Sequence, residues 1–494
     1  MKKIYLYNIL CAALLCSSCS SDWLDVYPTT SVGTDEIKTL EDLQYAMNGV
    51  YRLASAHSYY GDNYLYYGDC RAEDVQARIT KGTNGRVSPY YEYNAIATDN
   101  FNIVLPWNQV YKVIRQTNNI IDKVDRGTIE NADTQMLDSI KAEALVMRGL
   151  GLYDLTRFYA MPYMSDGGAS LGVAIELKPE DQFHRPGRST VAQCYDRVIK
   201  DLTDALPYLS KEKKNGRMNY WAAKALLSRV YLNKGDNENA YAAAVEVIEQ
   251  NGGLYRLYTH DEYPNVWGMD FQSESLFEFY FTLSEPSGGS GGEGAPMVYA
   301  DVTLDWNNLI LTKAFLDLMN EDPDDVRHCI TKMPVDVESD TIPAGTKGMP
   351  KYMGKYPGKD GSDPKDNNLC ILRLSEIYLN AAEAGLKLGG EYTEPARGYL
   401  NAIVSRANPA KSVEAGDFTL QRILKERRKE LVGEGLALYD YTRNGLTINR
   451  DGGWHLISLD AADARAIPAN DPRLALPIPQ SEIDANSNIL RPQQ

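Results

Sequence analysis

Two stretches of this 494-residue chain set aromatic rings beside side chains that present forked polar atoms. Residues 76–94, QARITKGTNGRVSPYYEYN, hold Arg78, Asn84, Arg86, Tyr91 and Tyr93. Residues 298–308, VYADVTLDWNN, hold Tyr299, Asp301, Trp306 and Asn307. A ring offers an apolar face and the neighbouring Arg, Asn or Asp offers directed hydrogen bonds, so such loops suit the gripping of a polar ligand. Catalysis finds less support. The histidines His57, His184, His260, His328 and His455 are scattered, with no triad or metal-site spacing. There is no Gly-x-Ser-x-Gly, no P-loop and no Gly-x-Gly-x-x-Gly after a strand. A glycoside hydrolase needs two carboxylates roughly 5–10 Å apart, and no acidic pair here stands in a recognisable motif. Gly288–Gly294 reads as a flexible loop and not a phosphate cradle, and residues 360–368 lack EF-hand spacing and read as a solvated turn. We therefore expect no enzyme, no cofactor and no metal.

The N-terminus places these loops outside the cytoplasm. Lys2 and Lys3 precede a short apolar run, Ile9 to Cys16, which is followed by the small residues Ser17 and Ser18 and then Cys19. The run falls short of the roughly 18–20 apolar residues of a membrane span and reads as a lipoprotein signal, residues 1–18, with Cys19 as the lipidated N-terminus. Nothing later is apolar enough to span a bilayer, so membrane contact is expected through lipid alone. The net charge of −16 argues against nucleic acid as a partner. Cys70, Cys194, Cys329 and Cys370 form no CxxC; buried thiols are the simplest reading, and one unassigned disulfide stays open. The 34 Tyr against nine Phe suit both ligand contact and helix–helix contact.

The elements that must carry the loops are helices. Apolar periodicity marks 107–124, 134–159, 189–209, 219–234, 238–250, 371–388, 394–407 and 419–433. In 189–209, Ser189 or Thr190 can cap, and Val191, Cys194, Tyr195, Val198, Leu202, Leu206 and Leu209 share one stripe. Residues 226–248 read as two helices meeting at Gly235-Asp236, with small residues Ala240 and Ala244 where helices approach closely; residues 381–403 repeat the plan around Gly389-Gly390 and Ala396. This resembles a tetratricopeptide repeat, interrupted because the copies lie far more than one period apart. Residues 55–102, 160–188, 284–308 and 320–369 are the irregular interruptions, and 276–283 reads as a strand.

Motifs in order along nearly the whole chain resemble the SusD/RagB family of outer-membrane nutrient-binding lipoproteins. They are Asp22-Trp23-Leu24-Asp25 with Pro28; Trp107, Tyr111, Ile114 and Asn118; Glu143, Ala144, Arg148, Tyr153 and Leu155; Arg373, Glu376, Tyr378, Leu379, Ala382 and Glu383; Glu426, Arg427, Glu430, Leu431, Glu434, Gly435, Asp440 and Arg443; and a closing LPIPQSEIDANSNILRPQ. Gly149 and Leu436-Ala437 depart from the family pattern. The resemblance implies a mainly α fold, with degenerate tetratricopeptide repeats as scaffold and long loops as ligand face, in a single domain over 19–494 whose parts, about 19–235 and 236–494, share that scaffold. It also implies the exterior of the outer membrane, a TonB-dependent SusC-type transporter as partner and a glycan oligosaccharide as ligand. A peptide or other nutrient, or a repeat scaffold that binds only protein, is the alternative. Arg427, Glu430 and Glu434 are read as interhelical ion pairs. For a sugar, whose C–H faces stack on rings, the candidate contacts are Trp306, Tyr299, Asp301, Asn307, Arg78, Asn84 and Tyr91. Trp306 leads because it follows a Gly-rich stretch just before a helix, although a Trp there also serves as a core staple. Trp267 reads as structural, and Trp107 and Trp221 as core.

Overall fold

The computed structural model describes residues 37–490 except 78–86, 95–97, 99–100, 182, 288–293, 301–307, 333–351, 362, 452–454, 456–458 and 460–463. Its frame is a succession of antiparallel helices. These are α1 (Leu40–Ala54), α2 (Asn63–Asp69), α3 (Ser88–Tyr91), α4 (Phe101–Asp125), α5 (Thr134–Tyr159), α6 (Val191–Ala205), α7 (Tyr220–Lys234), α8 (Asn237–Gln250), α9 (Ala295–Ala300), α10 (Lys313–Asn320), α11 (Leu374–Leu388), α12 (Thr393–Ala407), α13 (Leu420–Leu431), α14 (Ala437–Thr442) and α15 (Gln480–Ala485). None of the described helices is long and apolar enough to cross a membrane.

Local signals set most boundaries. Thr190 caps α6, and Gln193 reaches back to close a capping box. The stripe read from 189–209 is buried at Val191, Cys194, Tyr195, Val198, Leu202 and Leu209, while Leu206 is half-buried. Gly235 ends α7 at φ +81°, a left-handed position that glycine takes without Cβ strain, and Asp236 immediately caps α8. Two boundaries differ from the periodicity. Helix α4 begins at Phe101 and carries Pro106 within it. Residues 371–373, read as helix, belong instead to a strand, because Leu369–Arg373 pairs antiparallel with Ser275–Phe279 and the helix starts only at Leu374.

The helices pack in chain order, α4 on α5, α5 on α6 and α7 on α8, and then α8 lies against α11, which packs on α12. The two repeat-like hairpins, separated in sequence by strands, loops and short helices, are thus neighbours in one interrupted tetratricopeptide scaffold. Gly385 marks their closest approach, since a Cβ there would come 2.6 Å from Ala396 Cβ and 2.9 Å from the Tyr241 ring.

The motif residues join these layers. Arg148 on α5 donates to both carboxylate oxygens of Asp201 on α6, at 2.7 and 2.8 Å, and to Asn118 Oδ1 on α4 at 2.9 Å. Arg229 on α7 grips Glu376 on α11. Arg427 is paired with Asp440, and Arg443 with Glu383 and Asp440. Arg327, Arg373 and Arg406 surround Glu430, and Lys355 meets Glu434 at 2.5 Å. Burial raises the cost of a charged Glu430, but Arg406, Arg373 and Arg327 outweigh it and hold the carboxyl below the usual range. Arg427, Glu430 and Glu434 therefore stitch elements together, as expected.

Candidate ligand-binding site

Among the described residues four two-stranded pairings hang on the helical frame. They are β1 (Val75–Ala77) with β3 (Leu309–Leu311), β2 (Ser275–Phe279) with β6 (Leu369–Arg373), β4 (Thr331–Lys332) with β5 (Tyr352–Met353), and β7 (Ile448–Asn449) with β8 (Ala466–Ile467). The first pairing organises the candidate site. Its antiparallel register sets Val75 opposite Leu311 and Ala77 opposite Leu309. The chain leaves Ala77 into residues 78–86, and it enters Asn308 and Leu309 from residues 301–307. The ring-bearing loops of the sequence reading therefore spring from the same end of one ribbon. Strand β5 packs beside β3, so the stretch between β4 and β5 is rooted there as well.

The root is rigid. Arg428 on α13 holds Asp74 through Nε at 2.9 Å and Nη2 at 2.5 Å. Thr312 N–H donates to Asp74 O and the Thr312 hydroxyl to Glu73 O. Glu73 accepts from Asn449 N–H at 2.7 Å, joining β7 to the ribbon's base. Asn308, buried where the 301–307 stretch ends, keeps a buried side-chain oxygen with no hydrogen-bond partner. The sequence reading missed it because a lone Asn at a strand start carries no local signal.

His455 fastens a further segment to this base. Its Nε2 lies 2.6 Å from Glu73 O and its Nδ1 2.9 Å from the Tyr91 hydroxyl, partners that assign a neutral ring with the proton on Nε2. Burial, reinforced by Arg450, pushes its pKa down to about 4. The unfolded ring takes its proton near 6.5, so His455 contributes stability that is complete above that pH and is lost as pH falls toward 4. The full effect is about 3 kcal/mol. Asp69 acts in the opposite sense, because burial raises its carboxyl to about 7 despite hydrogen bonds from Tyr299 and Gly435. Comparison with His455→Gln isolates the histidine. Between pH 4 and 6.5, denaturant unfolding of the native chain is expected to gain stability relative to this variant; equal slopes would show that the ring is not buried neutral.

The candidate contacts fall into two groups. Trp306, Asp301, Asn307, Arg78 and Asn84 lie outside the described residues, as does Cys19. Tyr299 and Tyr91 are core residues and do not offer an open ring. Tyr299 is 1% exposed and donates to Asp69 Oδ2 at 2.7 Å, and Tyr91 is 0% exposed against His455. Both sit on short helices whose apolar side faces inward, where burial of the ring with a bonded hydroxyl is worth more than exposure. The same holds for much of the tyrosine excess: Tyr59 and Tyr60 both donate to Asp154, and Tyr67 to Leu474 O at 2.6 Å. Trp107 and Trp221 are core, as expected, and Trp267 is half-buried between Lys355 and Arg373. Cys194 is a buried free thiol and Cys70 is likewise buried. Glu176, Glu180 and His184 bring their side-chain ligand atoms within 4.8 Å of one another on the 160–188 stretch; His184 is 3.2 Å from Glu176 and 3.8 Å from Glu180, which makes them a surface ion-pair group.

A helical-repeat scaffold with small two-stranded ribbons set on it defines a protein of tetratricopeptide-like architecture. A family model described as starch-binding associating with outer membrane matches residues 22–232, and that of the SusD family matches residues 203–493. The chain belongs to the SusD family. It is similar to a SusD superfamily protein from Bacteroides thetaiotaomicron, with 63% identity, a TM-score of 0.88, and coverage of 92% of this chain and 100% of that one. SusD-like protein P2 of Formosa agariphila is 25% identical over 99% of both chains. Surface glycan-binding protein A from B. thetaiotaomicron, solved with laminarihexaose, shares the fold at 20% identity and a TM-score of 0.71 over 92% of this chain and 99% of that one.

Proposed function

We propose that this chain is a lipoprotein of the outer-membrane exterior, anchored through Cys19, that captures a glycan oligosaccharide without doing chemistry on it and passes it to a TonB-dependent SusC-type transporter. The observation that carries the reading is the β1–β3 register, which roots residues 78–86 and 301–307 side by side. By residue type the first stretch carries the forked groups of Arg78 and Asn84 and the second carries Trp306, Asp301 and Asn307, the combination a sugar's C–H face and hydroxyls require. The likeness in fold to a relative solved with laminarihexaose supports the same reading. The test is a glycan-array and affinity-gel screen of the mature protein run beside Trp306→Ala. We expect binding to one polysaccharide class that the variant weakens about tenfold or more, the scale of a buried aromatic anchor. Binding that the variant keeps would move the contact to the 78–86 side. No binding to any glycan, with binding of peptides instead, would replace the ligand class and leave the capture role.

A further inference from the structure

A cavity of about 420 Å³ lies between the Tyr90–Tyr93 turn, Arg188 and the C-terminal stretch Pro472–Ile478, and none of its lining residues belongs to the β1–β3 ribbon. Its volume is within the range of small-ligand pockets. Three guanidinium groups line it, those of Arg71, Arg188 and Arg473, in a chain whose net charge is −16.

The way these arginines are paired is unusual for this protein. Several buried arginines elsewhere meet a carboxylate, as Arg148 meets Asp201, Arg229 meets Glu376, Arg373 meets Glu430 and Arg443 meets Glu383. Among the three cavity arginines only Arg473 does so, with Asp471 at 2.7 Å. Arg71 is 1% exposed, yet its Nη1 donates to Leu474 O at 3.2 Å, its Nη2 to Arg473 O, and its Nε has no hydrogen-bond partner. Arg188 donates only to carbonyls, those of Gly172, Leu171 and Tyr159. Arg71 lies within electrostatic reach of Asp471, the carboxylate that Arg473 holds, whereas Arg188 has no ion pair among the described residues. Carbonyl oxygens satisfy N–H groups but carry no net charge, and the single Asp471 carboxylate stands against three cavity arginines, so the wall keeps a net positive charge. Arg450, also buried and bonded only to carbonyls, lies outside the lining with its guanidinium 5.3 Å from the Tyr93 ring centroid.

The rest of the wall is three tyrosine rings with the proline and aliphatic side chains of Pro89 and the Pro472–Ile478 stretch. Tyr93 holds a left-handed backbone at φ +54°, costly for a residue with a Cβ. It is fixed by its hydroxyl on Arg71 O at 2.6 Å and by the Arg71 guanidinium 4.3 Å from its ring centroid. Tyr90 and Tyr159 complete the wall. Rings beside guanidinium forks complement a unit that has both an apolar face and an anionic group.

We infer that this cavity takes the acidic group of an anionic sugar, a uronate carboxylate or a sulfate ester. The inference relies on the glycan reading above for the identity of the ligand but not for the cavity's preference for an anion. The test is titration calorimetry of the mature protein with an oligogalacturonate, a sulfated oligosaccharide and a neutral laminari-oligosaccharide, alongside Arg188→Gln and Arg473→Gln, with thermal unfolding confirming that each variant folds. An acidic oligosaccharide is expected to bind tighter than the neutral one, to weaken as salt rises, and to lose about tenfold or more with Arg188→Gln. Preference for uronate points to a carboxylate in the forks, and preference for the sulfated probe to a sulfate; either supports the assignment. Arg473→Gln, whose side chain is only partly buried, carries the test if Arg188→Gln does not fold. Equal binding of all three probes, unchanged by either variant, overturns the inference while leaving glycan capture standing. If no oligosaccharide binds, free galacturonate and sulfate are followed by ligand-observed NMR. Binding lost in the variants keeps the cavity assignment while capture of glycans fails, and no binding of either anion overturns it.

Discussion

Glu430→Gln is expected to lower the unfolding free energy by about 3–5 kcal/mol, the cost of breaking a buried ion pair from one side. The side chain keeps its shape, so the loss measures the charge together with the one acceptor that the amide nitrogen replaces. Glu430 is fully buried and faces three guanidiniums: Arg373 at 2.7 Å, Arg406 at 2.7 Å and Arg327 at 3.4 Å. Glu274 shares Arg373 and Arg406, and Glu434 shares Arg373, so the cluster is balanced with little excess. An amide in place of the carboxylate leaves cations without a counter-charge where water does not reach them. Denaturant unfolding is the measurement. Glu262→Gln, at the exposed Arg256–Glu262 pair, is the control and should change stability by less than about 1 kcal/mol. A similarly small change in Glu430→Gln would show that solvent enters the cluster.

The second large effect is at Gly68. It lies near the end of α2, pressed against the turn that leads from α13 to α14, and a Cβ there would collide with the backbone of Gly435. The approach is reciprocal, since a Cβ on Gly435 would come 2.9 Å from the Tyr64 ring and 3.1 Å from Leu65, and Gly435 N–H donates to Asp69 at 3.1 Å. Backbone cannot rotate aside as a side chain can. Gly68→Ala should therefore separate α2 from this turn at a cost of roughly 3 kcal/mol, the upper end for overpacking. Gly398 is the counterpart. It lies inside α12 with nothing near its would-be Cβ, so Gly398→Ala should gain about 0.5–1 kcal/mol. Thermal unfolding of the two alanine variants should shift in opposite directions. A shift in the same direction would mean that helix propensity, not contact, governs both sites.

Much of the scaffold was legible in the sequence. Helix periodicity, the Thr190 cap, and Gly235 followed by Asp236 act over a few residues, so they could be read without knowing what lies opposite. The helical, interrupted repeat follows from these local rules. The structural role of Arg427, Glu430 and Glu434 came instead from the family resemblance that their motif carries.

What only the tertiary structure decided is whatever depends on partners far apart in the chain. Strand β1 has no periodicity of its own at three residues, and its pairing with β3, which brings the two loops together, is a long-range choice. Tyrosine shows the same limit. A ring with a hydroxyl suits a wet ligand or a core acceptor equally, and Tyr299 and Tyr91 went to the core because Asp69 and His455 stood ready to bond them. The cavity arginines, Arg71, Arg188 and Arg473, come from three distant segments and have no shared motif. Arg188 holds its charge against carbonyl oxygens alone, a fact of geometry that no residue count could reveal.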